Sequence, residues 1–563
     1  MTAARALQRQ SVVRILTMAL PVLVGMLSQT AINILDTYLV GLLPSDLSVP
    51  GQAALGLSLP LLWAVGGFLS AISVGTQALT ARREGEGNPE AAGKVLFNSL
   101  TVAAISGAVF TVLSVLAVPT VFPYLHNNPR VIELGVPYCQ VRLLGVLTMV
   151  VTMSLKSFFD GIGKTTTFMV ASIIMNIGNV AFAYAFIFGA AGFPRLEVTG
   201  AAAGAVVATA IGIAVLAIQA ARPAFRRRYL PFRWSNFEIK TCKEIARLSV
   251  PSGLATVFVM TGFLMFFKIV SLVDADASGP IGAFAASSSA QGLTGDLVLH
   301  IEADRARLRA SKLKIGDGGS PCTGSIDLRT APDASDKKMH FTAQGGSACL
   351  LAIPALQGNL NASWTEKDKV AFRAKDLSTQ LIRLPVYSNA AKLVMDILSL
   401  VFISCLAFGT ATATLVSQSL GAGNPDQAER YGWDSTILGS LIFGALGFTM
   451  TLWPDFYLYL LNKEPAVADA GRSVLRLMGA MGWLIAIAMI TTQALFGAGN
   501  TRFVMVAEMI LHAVCLVPCA YLFGVVLHGG MFGTYLSAVL YIVLLAGVMG
   551  WKFRQGSWKQ IRI

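Results

Sequence analysis

Long apolar runs are the feature that most constrains this chain. Leu16 to Val40, Leu55 to Thr80 and Val95 to Val121 each exceed the roughly 20 residues that a helix needs to cross a bilayer. Backbone amides inside hydrocarbon must be satisfied within their own segment, so these runs are predicted to be helices. Only 13% of the 563 residues are charged, against about a quarter in soluble domains. We therefore expect a multi-pass protein of the cell (inner or plasma) membrane.

Twelve apolar segments are predicted to be spans. By residue number they are 15–40, 55–81, 95–122, 134–157, 168–190, 199–221, 251–273, 389–418, 433–458, 472–495, 503–527 and 531–551. Lys and Arg cluster in every second connection, most densely between Arg222 and Arg247, and again from Lys552 to Arg562. Cytoplasmic loops carry this bias, so both termini are predicted to be cytoplasmic. The net charge of +13 is thereby explained by orientation, and no nucleic-acid partner is expected because no recognition module is present.

Two short motifs occur twice at one spacing. G-E-G-N-P-E-A-A begins at Gly85 and G-A-G-N-P-D-Q-A begins at Gly421, which is 336 residues later. F-F-D-G-I-G-K-T around Gly161 is matched by A-L-F-G-A-G-N-T around Gly497, again 336 residues later. The shared spacing predicts a duplication. Because each half has an even number of spans, we expect parallel repeats related by an axis along the membrane normal.

The spacing is shorter at the first span of each half, where Pro251 follows its match Pro21 by 230 residues. The second half has therefore gained 106 residues, which is the difference between the two spacings. They fall at 282–387, between spans seven and eight, on the predicted outer side. Short alternating runs separated by turn residues such as Gly316-Asp317-Gly318-Gly319 predict a small β-sandwich or barrel. The sequence leaves open whether this insert has an extracytoplasmic partner.

These observations predict an all-α membrane protein of twelve transmembrane helices in two parallel six-helix repeats, with a small β-rich extracytoplasmic insert. The predicted division is an N-terminal six-helix bundle at 1–222, a basic cytoplasmic linker at 223–248, a C-terminal six-helix bundle at 249–281 and 388–552, the insert at 282–387, and a cytoplasmic tail at 553–563.

The repeated turns resemble those of the multidrug and toxic compound extrusion (MATE) family. Gly-x-Gly-Asn-Pro follows spans two and eight, and Gly-x-Gly followed by Lys-Thr or Asn-Thr follows spans four and ten. The first span, which reads N-I-L-D-T-Y-L-V-G, is similar to the family's Asp-Thr-x-x-x-Gly pattern. The resemblance covers nearly everything except the insert and the termini.

The resemblance implies a secondary exporter rather than an enzyme. Such a protein exchanges protons or sodium for amphipathic, often cationic small molecules by rocking two helix bundles, and needs no cofactor beyond the coupling ion. A related group in the same superfamily flips lipid-linked saccharides, which is the alternative function. A receptor or assembly platform with vestigial transport is a third interpretation, and the retained Asp36 and turn motifs disfavour it.

Asp36 is the predicted coupling residue of the first half. By resemblance it matches an Asp that many prokaryotic members use for proton or cation coupling. Independently, a carboxylate inside a span is costly and usually faces a water-filled cavity or an ion pathway; the alternative is a solvated cap at the outer interface. The resemblance also implies that Asn176 and Asn179 in span five belong to the same site, with interhelical hydrogen bonding as the alternative. The apolar Val180 and Ala183 count against a sodium site in this half.

The second half lacks the acidic residues that sodium-coupled members carry in spans seven and ten. Its polar candidates are Lys268, Asp396, Glu508 and His512. Glu508 and His512 are four residues apart, hence on one helix face, and could form a second protonatable site. A structural ion pair between Lys268 and Asp396 is the alternative role for those two, and Lys268 alone is expected to snorkel to the outer interface.

Cys322 and Cys349 are the only two of seven cysteines that lie in the insert. Because disulfides persist on the outer side of the membrane, the two are predicted to pair. No metal or nucleotide site is predicted anywhere in the chain.

Overall fold

The computed structural model describes residues 8–124, 129–276, 282–286, 293–301, 305–315, 322–330, 338–347, 350, 359–366, 369–374, 377–383, 386–461 and 465–563. In the first half the helices are α1 (Arg9–Gly41), α2 (Ser45–Ser70), α3 (Ile72–Gly85), α4 (Pro89–Val121), α5 (Pro129–Gly161), α6 (Thr166–Phe188), α7 (Val198–Ala221) and the short α8 (Pro223–Tyr229).

The second half begins with α9 (Ile239–Asp276) and resumes after the strands. Its further helices are α10 (Val386–Gly421), α11 (Pro425–Leu452), α12 (Pro454–Leu461), α13 (Pro465–Ala480), α14 (Gly482–Gly497), α15 (Thr501–Ile510), α16 (Val517–Tyr521) and α17 (Gly530–Gln555). Two π-helical segments, Leu511–Leu516 and Leu522–Val526, flank α16.

The number of spans agrees with the sequence prediction. In the described residues, 11 helical stretches are long and apolar enough to cross a membrane, and a bent pair supplies the twelfth. The predicted span at 55–81 is α2 followed by α3, which together form one stretch from Pro50 to Gly85. This multiplicity of apolar helices confirms an all-α membrane protein.

The bent pair corrects one expectation. The sequence predicts one continuous span at 472–495, whereas α13 and α14 meet at 55°. Close backbone packing accompanies this bend, because a Cβ added at Gly479 would lie 2.7 Å from the carbonyl oxygen of Gly447 in α11. A hydropathy profile cannot reveal this contact, because Gly479 and Gly482, on either side of the break, do not interrupt the apolar run.

The matching loops of the two halves have matching geometry. Asn88 caps α4 by accepting a hydrogen bond from the amide of Ala91 at 3.0 Å, and Asn424 caps α11 by accepting one from Gln427 at 3.1 Å. The preceding glycines, Gly87 and Gly423, have φ of 70° and 71°. This left-handed backbone disfavours residues with a Cβ, so the glycine at both positions has a direct conformational reason.

The two halves meet where α3, α5 and α10 end, and we call this region the basic end because Arg82, Arg83 and Lys164 lie there. A Cβ added at Gly85 would overlap the carbonyl oxygen of Gln418, and one at Gly421 would overlap that of Arg82. Hydrogen bonds that join the halves here include Gln77 Nε2 to Thr410 O (2.8 Å), Thr414 Oγ1 to Asp160 O (3.0 Å), Ser417 Oγ to Ala78 O (2.8 Å), and Gln418 Nε2 to Gly161 O (2.8 Å). The halves are therefore closed against each other at the basic end.

The C-terminal residues add to this closure. Trp558 is fully buried, stacks on Phe553 at 4.7 Å, and donates from Nε1 to the carbonyl of Phe553 at 2.6 Å. Ile561 accepts a hydrogen bond of 3.4 Å from Arg82 of the first half. Lys559 pairs with Asp426 and Glu429 of the second half. Residues 557–563, which we call the C-terminal strap, thus contact both halves.

Eight strands form a closed antiparallel barrel between α9 and α10. They are β1 (Gly282–Ala286), β2 (Leu293–Ile301), β3 (Arg305–Ile315), β4 (Cys322–Thr330), β5 (Lys338–Gly346), β6 (Asn359–Glu366), β7 (Lys369–Ala374) and β8 (Leu377–Arg383). Each strand pairs with the next, and β1 pairs with β8 in the register Ala285 to Ile382. Alternate residues face inward, so Leu297, Leu299, Leu308 and Phe372 form an apolar interior.

Candidate functional site

Asp36 and Asn179 form the centre of the site in the first half. Asp36 lies in α1 and is 5% exposed, whereas Asn179 lies in α6 and is fully buried. Nδ2 of Asn179 donates a 2.8 Å hydrogen bond to Oδ1 of Asp36. The apolar faces of α1 and α6 pack together, and this packing brings the carboxylate and the amide into contact. The alternative of a solvated Asp at the interface does not fit this burial.

Helix α5 contributes two groups that the sequence interpretation missed. The guanidinium of Arg142 interacts electrostatically with Asp36, and so does the phenol of Tyr138, which is 3% exposed. An isolated buried carboxylate is costly, and Arg142 and Asn179 offset that cost. The signal was present as a Tyr and an Arg four residues apart within an apolar run, which places both on one helix face.

Several polar atoms of this site lack partners within the described part of the chain. They are Oδ1 of Asn176, Oδ1 of Asn179 and Nε of Arg142, each buried and without a hydrogen bond. Buried polar groups are almost always satisfied, so these unpaired atoms, two of them on side chains that interact with Asp36, indicate a place where something polar binds. Amide and carboxylate oxygens suit a proton or a small hard cation, while the positive charge of Arg142 opposes a cation beside Asp36.

In the second half, the ring of His512 contacts the backbone of Glu508, which lies one turn earlier on the same helix. Nδ1 of His512 lies 2.8 Å from the carbonyl oxygen of Glu508, and His512 is 3% exposed. His512 is the second residue of the segment Leu511–Leu516, in which the helix widens to the π form. No pattern in the sequence predicts this widening.

Lys268 and Asp396 are not brought together. Both side chains are exposed, and no ion pair joins these two described residues. Around Lys268 the buried positions of α9 are Phe266, Ile269 and Val270, so Lys268 points away from that face. Asp396 lies likewise on the exposed face of α10. The alternative of a structural ion pair is therefore wrong, and a shared site with Glu508 and His512 is not formed.

Cys322 is disulfide-bonded and 3% exposed, whereas the five cysteines outside the insert are free. Cys349 lies outside the described residues, so the pairing of Cys322 with Cys349 stays a prediction. In the described part of the chain, no group of three or more His, Cys, Asp or Glu side chains is placed to hold a metal ion.

Sequence comparison with known proteins finds relatives that are named as probable multidrug resistance proteins. A probable multidrug resistance protein NorM of Thermotoga maritima is 28% identical over 268 residues, which are 47% of this chain and 55% of that protein. Its counterpart in Shewanella oneidensis is 27% identical over 280 residues, or 49% of this chain and 57% of that protein. The matches thus span about half the length of these curated relatives.

A solved structure shows the same fold over almost the whole chain. A MOP superfamily transporter from Pyrococcus furiosus superposes with a TM-score of 0.70 at 17% identity, covering 98% of this chain and 96% of that one.

The MatE family model matches residues 21–185 and 389–522, which make up more than half of the chain. The first range contains Asp36, Tyr138, Arg142 and Asn179, and the second contains Glu508 and His512. Twelve apolar spans, paired glycine turns and this match lead to one conclusion: the chain belongs to the MatE family of multi-pass membrane transporters.

Proposed function

We propose that this chain is a secondary active exporter, which exchanges protons, or alternatively sodium, for amphipathic and often cationic small molecules. The observation that carries the proposal is the buried contact between Asp36 and Asn179, with unpaired amide oxygens around it. A carboxylate held this way between two spans responds strongly to the gain or loss of a proton, because its charge is costly to bury.

Coupling requires that the bound and free forms of Asp36 favour different arrangements of the helices. A ligand shifts a conformational equilibrium only by its differential affinity for the two states. Protonation removes the charge that attracts Arg142 and weakens the acceptor for Asn179, so it changes contacts that tie α1 to α5 and α6. A tenfold difference in proton affinity between two states supplies about 1.4 kcal/mol of bias.

We propose further that transport proceeds by rocking of two repeated six-helix bundles. The support is the closed basic end, where hydrogen bonds between the halves must break before that side can open. If the basic end is cytoplasmic, as the positive-inside bias predicts, the described arrangement is closed on the cytoplasmic side.

The test is Asp36→Asn in everted membrane vesicles, with proton and sodium gradients imposed separately. Asparagine keeps the volume and most hydrogen-bonding capacity but has no charge, so we expect gradient-driven export to be lost while the folded protein remains in the membrane. Asp327→Asn, the same change on an exposed strand of the barrel, is the matched control. Wild-type export by Asp36→Asn under both gradients would rule the proposal out.

Arg142 supports one second candidate, a flippase for lipid-linked saccharides. Its buried, unpaired Nε offers a donor to an anionic phosphate near the site. Proteoliposomes distinguish the candidates, because Arg142→Gln would abolish movement of a pyrophosphate-linked lipid by a flippase. In a cation exporter the same variant should still bind a cationic dye. Only the dependence of dye export on the ion gradient should change.

A further inference from the structure

A second polar cluster lies in the C-terminal half, around the π-helical segment Leu511–Leu516. His512 is 3% exposed, and its Nδ1 lies 2.8 Å from the carbonyl oxygen of Glu508. A carbonyl oxygen can only accept, so Nδ1 carries a proton and the neutral ring keeps its free lone pair on Nε2. Nε2 is buried, and no described residue hydrogen-bonds to it. The cluster thus holds an unused acceptor deep in the protein.

The ring of His512 is held in place by two other helices. Tyr541 of α17 packs edge-on against it with ring centroids 4.6 Å apart, and Phe263 of α9 lies at 6.3 Å. A Cβ added at Gly262 would overlap the imidazole, so the absence of a side chain there makes room for the ring. A π-helical turn inside an α-helix is uncommon and frequently marks a functional position. The local backbone therefore departs from regular geometry at the residue with the unpaired nitrogen.

The charges around this ring are few and of one sign. Glu508 lies one turn before His512, and its carboxylate interacts electrostatically with the phenol of Tyr541. Cys515 of the π-helical segment and Cys519 of α16 are the other titratable groups on that side, and α9 contributes only Gly262 and Phe263 there. No basic side chain of the described residues interacts with Glu508 or His512. A positive charge arriving at Nε2 would therefore meet no competing cation among the described residues.

The two halves place their polar groups differently. His512 follows Asn176 by 336 residues, so it occupies the repeat position of an amide beside the first site. At the corresponding repeat spacings, Asp36 and Asn179 are replaced by Phe266 and Cys515. The second half thus lacks the carboxylate–amide pair and has a histidine and a carboxylate on one helix instead.

We propose that Glu508, His512 and Tyr541 form a second proton-binding site, in the C-terminal half, whose acceptor is Nε2 of His512. In the binding step, the Nε2 lone pair takes a proton from hydronium and releases water. The resulting imidazolium is balanced by the carboxylate of Glu508, and the proton returns to water in the reverse step. This deepens the proposed function, since it rests on proton-coupled export and adds a second titrating group to the cycle.

The test is ¹⁵N NMR of the full chain in lipid nanodiscs, with labelled histidine. The chain has five histidines, and His512→Gln assigns the signal. We expect Nε2 to change from the unprotonated to the protonated shift between about pH 5 and pH 8. Glu508→Gln should weaken proton binding at His512 about tenfold, because the carboxylate stabilises the imidazolium. His528→Gln, at an exposed histidine after the second π-helical segment, is the matched control and should leave the His512 titration unchanged.

Two outcomes would overturn the proposal. One is an Nε2 signal that keeps a single protonation state across this pH range, and the other is a titration that Glu508→Gln does not move. The wild-type spectrum suffices for the first, even if a variant fails to fold. Asp36→Asn should leave the titration intact, so loss of the second site and failure of the exporter proposal remain distinguishable.

Discussion

Gln77 in α3 donates from Nε2 to Oγ1 of Thr414 in α10 over 2.8 Å, and Thr414 in turn donates to the carbonyl of Asp160 in α5 over 3.0 Å. One threonine of the second half is thus held between two helices of the first. Since all three residues are within the basic end, the state of this chain of hydrogen bonds reports whether that end is closed.

Gln77→Leu removes the donor and leaves buried acceptors unpaired in the closed arrangement. We expect this arrangement to lose about 1–3 kcal/mol relative to the open one. Spin labels at positions 164 and 500, in the matching loops of the two halves, should show a distance distribution shifted to longer values. Gln219→Leu makes the same change on α7, away from the interface, and should leave the distribution unchanged. An unaltered distribution for Gln77→Leu would show that the basic end is not held by these bonds.

Lys156 and Asp160 form an ion pair of 2.6 Å on α5, with side chains that are 8% and 0% exposed. Lys156→Met leaves a buried carboxylate without its counter-charge, and we expect a loss of about 3–5 kcal/mol in unfolding free energy. Denaturation in detergent measures it. The double variant Lys156→Met with Asp160→Leu should recover most of the loss, because no charge then remains buried. Arg130→Met disrupts the exposed pair with Glu133 and should cost less than about 1 kcal/mol.

Lys559→Glu should release the C-terminal strap by placing a third negative charge beside Asp426 and Glu429. Hydrogen exchange of residues 557–563 is expected to rise, whereas Lys559→Arg should behave like the wild type. The hydrogen bond to Glu429 raises the pKa of Lys559. Its stabilisation is complete below the unfolded value of about 10.4 and is lost only as pH rises further. Equal effects at about pH 6 and pH 9 are therefore expected, and a difference between them would contradict the assignment.

The barrel is predicted to lie outside the cell, opposite the basic end. A membrane-impermeant amine reagent applied to intact cells should label Lys338 and Lys369, at the starts of β5 and β7, and spare Lys240 and Lys243 at the start of α9. Mass spectrometry of the labelled peptides gives the result. Lysed cells provide the control, since all four lysines should then react. Labelling of Lys240 and Lys243 alone in intact cells would show that the protein has the opposite orientation in the membrane.

Much of the membrane fold follows from the sequence because hydrocarbon leaves the backbone few choices. Apolar runs therefore located the spans, and the resemblance to the MATE family implied that Asp36, Asn176 and Asn179 belong to one site. What the sequence could not show depends on which helix faces meet. Arg142 and Tyr138 reach Asp36 only because α5 packs beside α1 and α6, and Lys268 misses Asp396 because each lies on an exposed face. The bend after Ala480 and the π turns at Leu511 likewise arise from packing that periodicity does not encode.

The pairing of β1 with β8 has a consequence for how this gene could have been assembled. Neighbouring strands lie about 4.8 Å apart, so the chain leaves the barrel close to where it entered. For the helices on either side, the added domain is geometrically equivalent to a short loop. A unit of this kind can be gained, lost or exchanged in evolution without repositioning a single span. For the same reason, the junctions after Asp276 and before Val386 are suitable points for grafting a reporter domain onto the transporter.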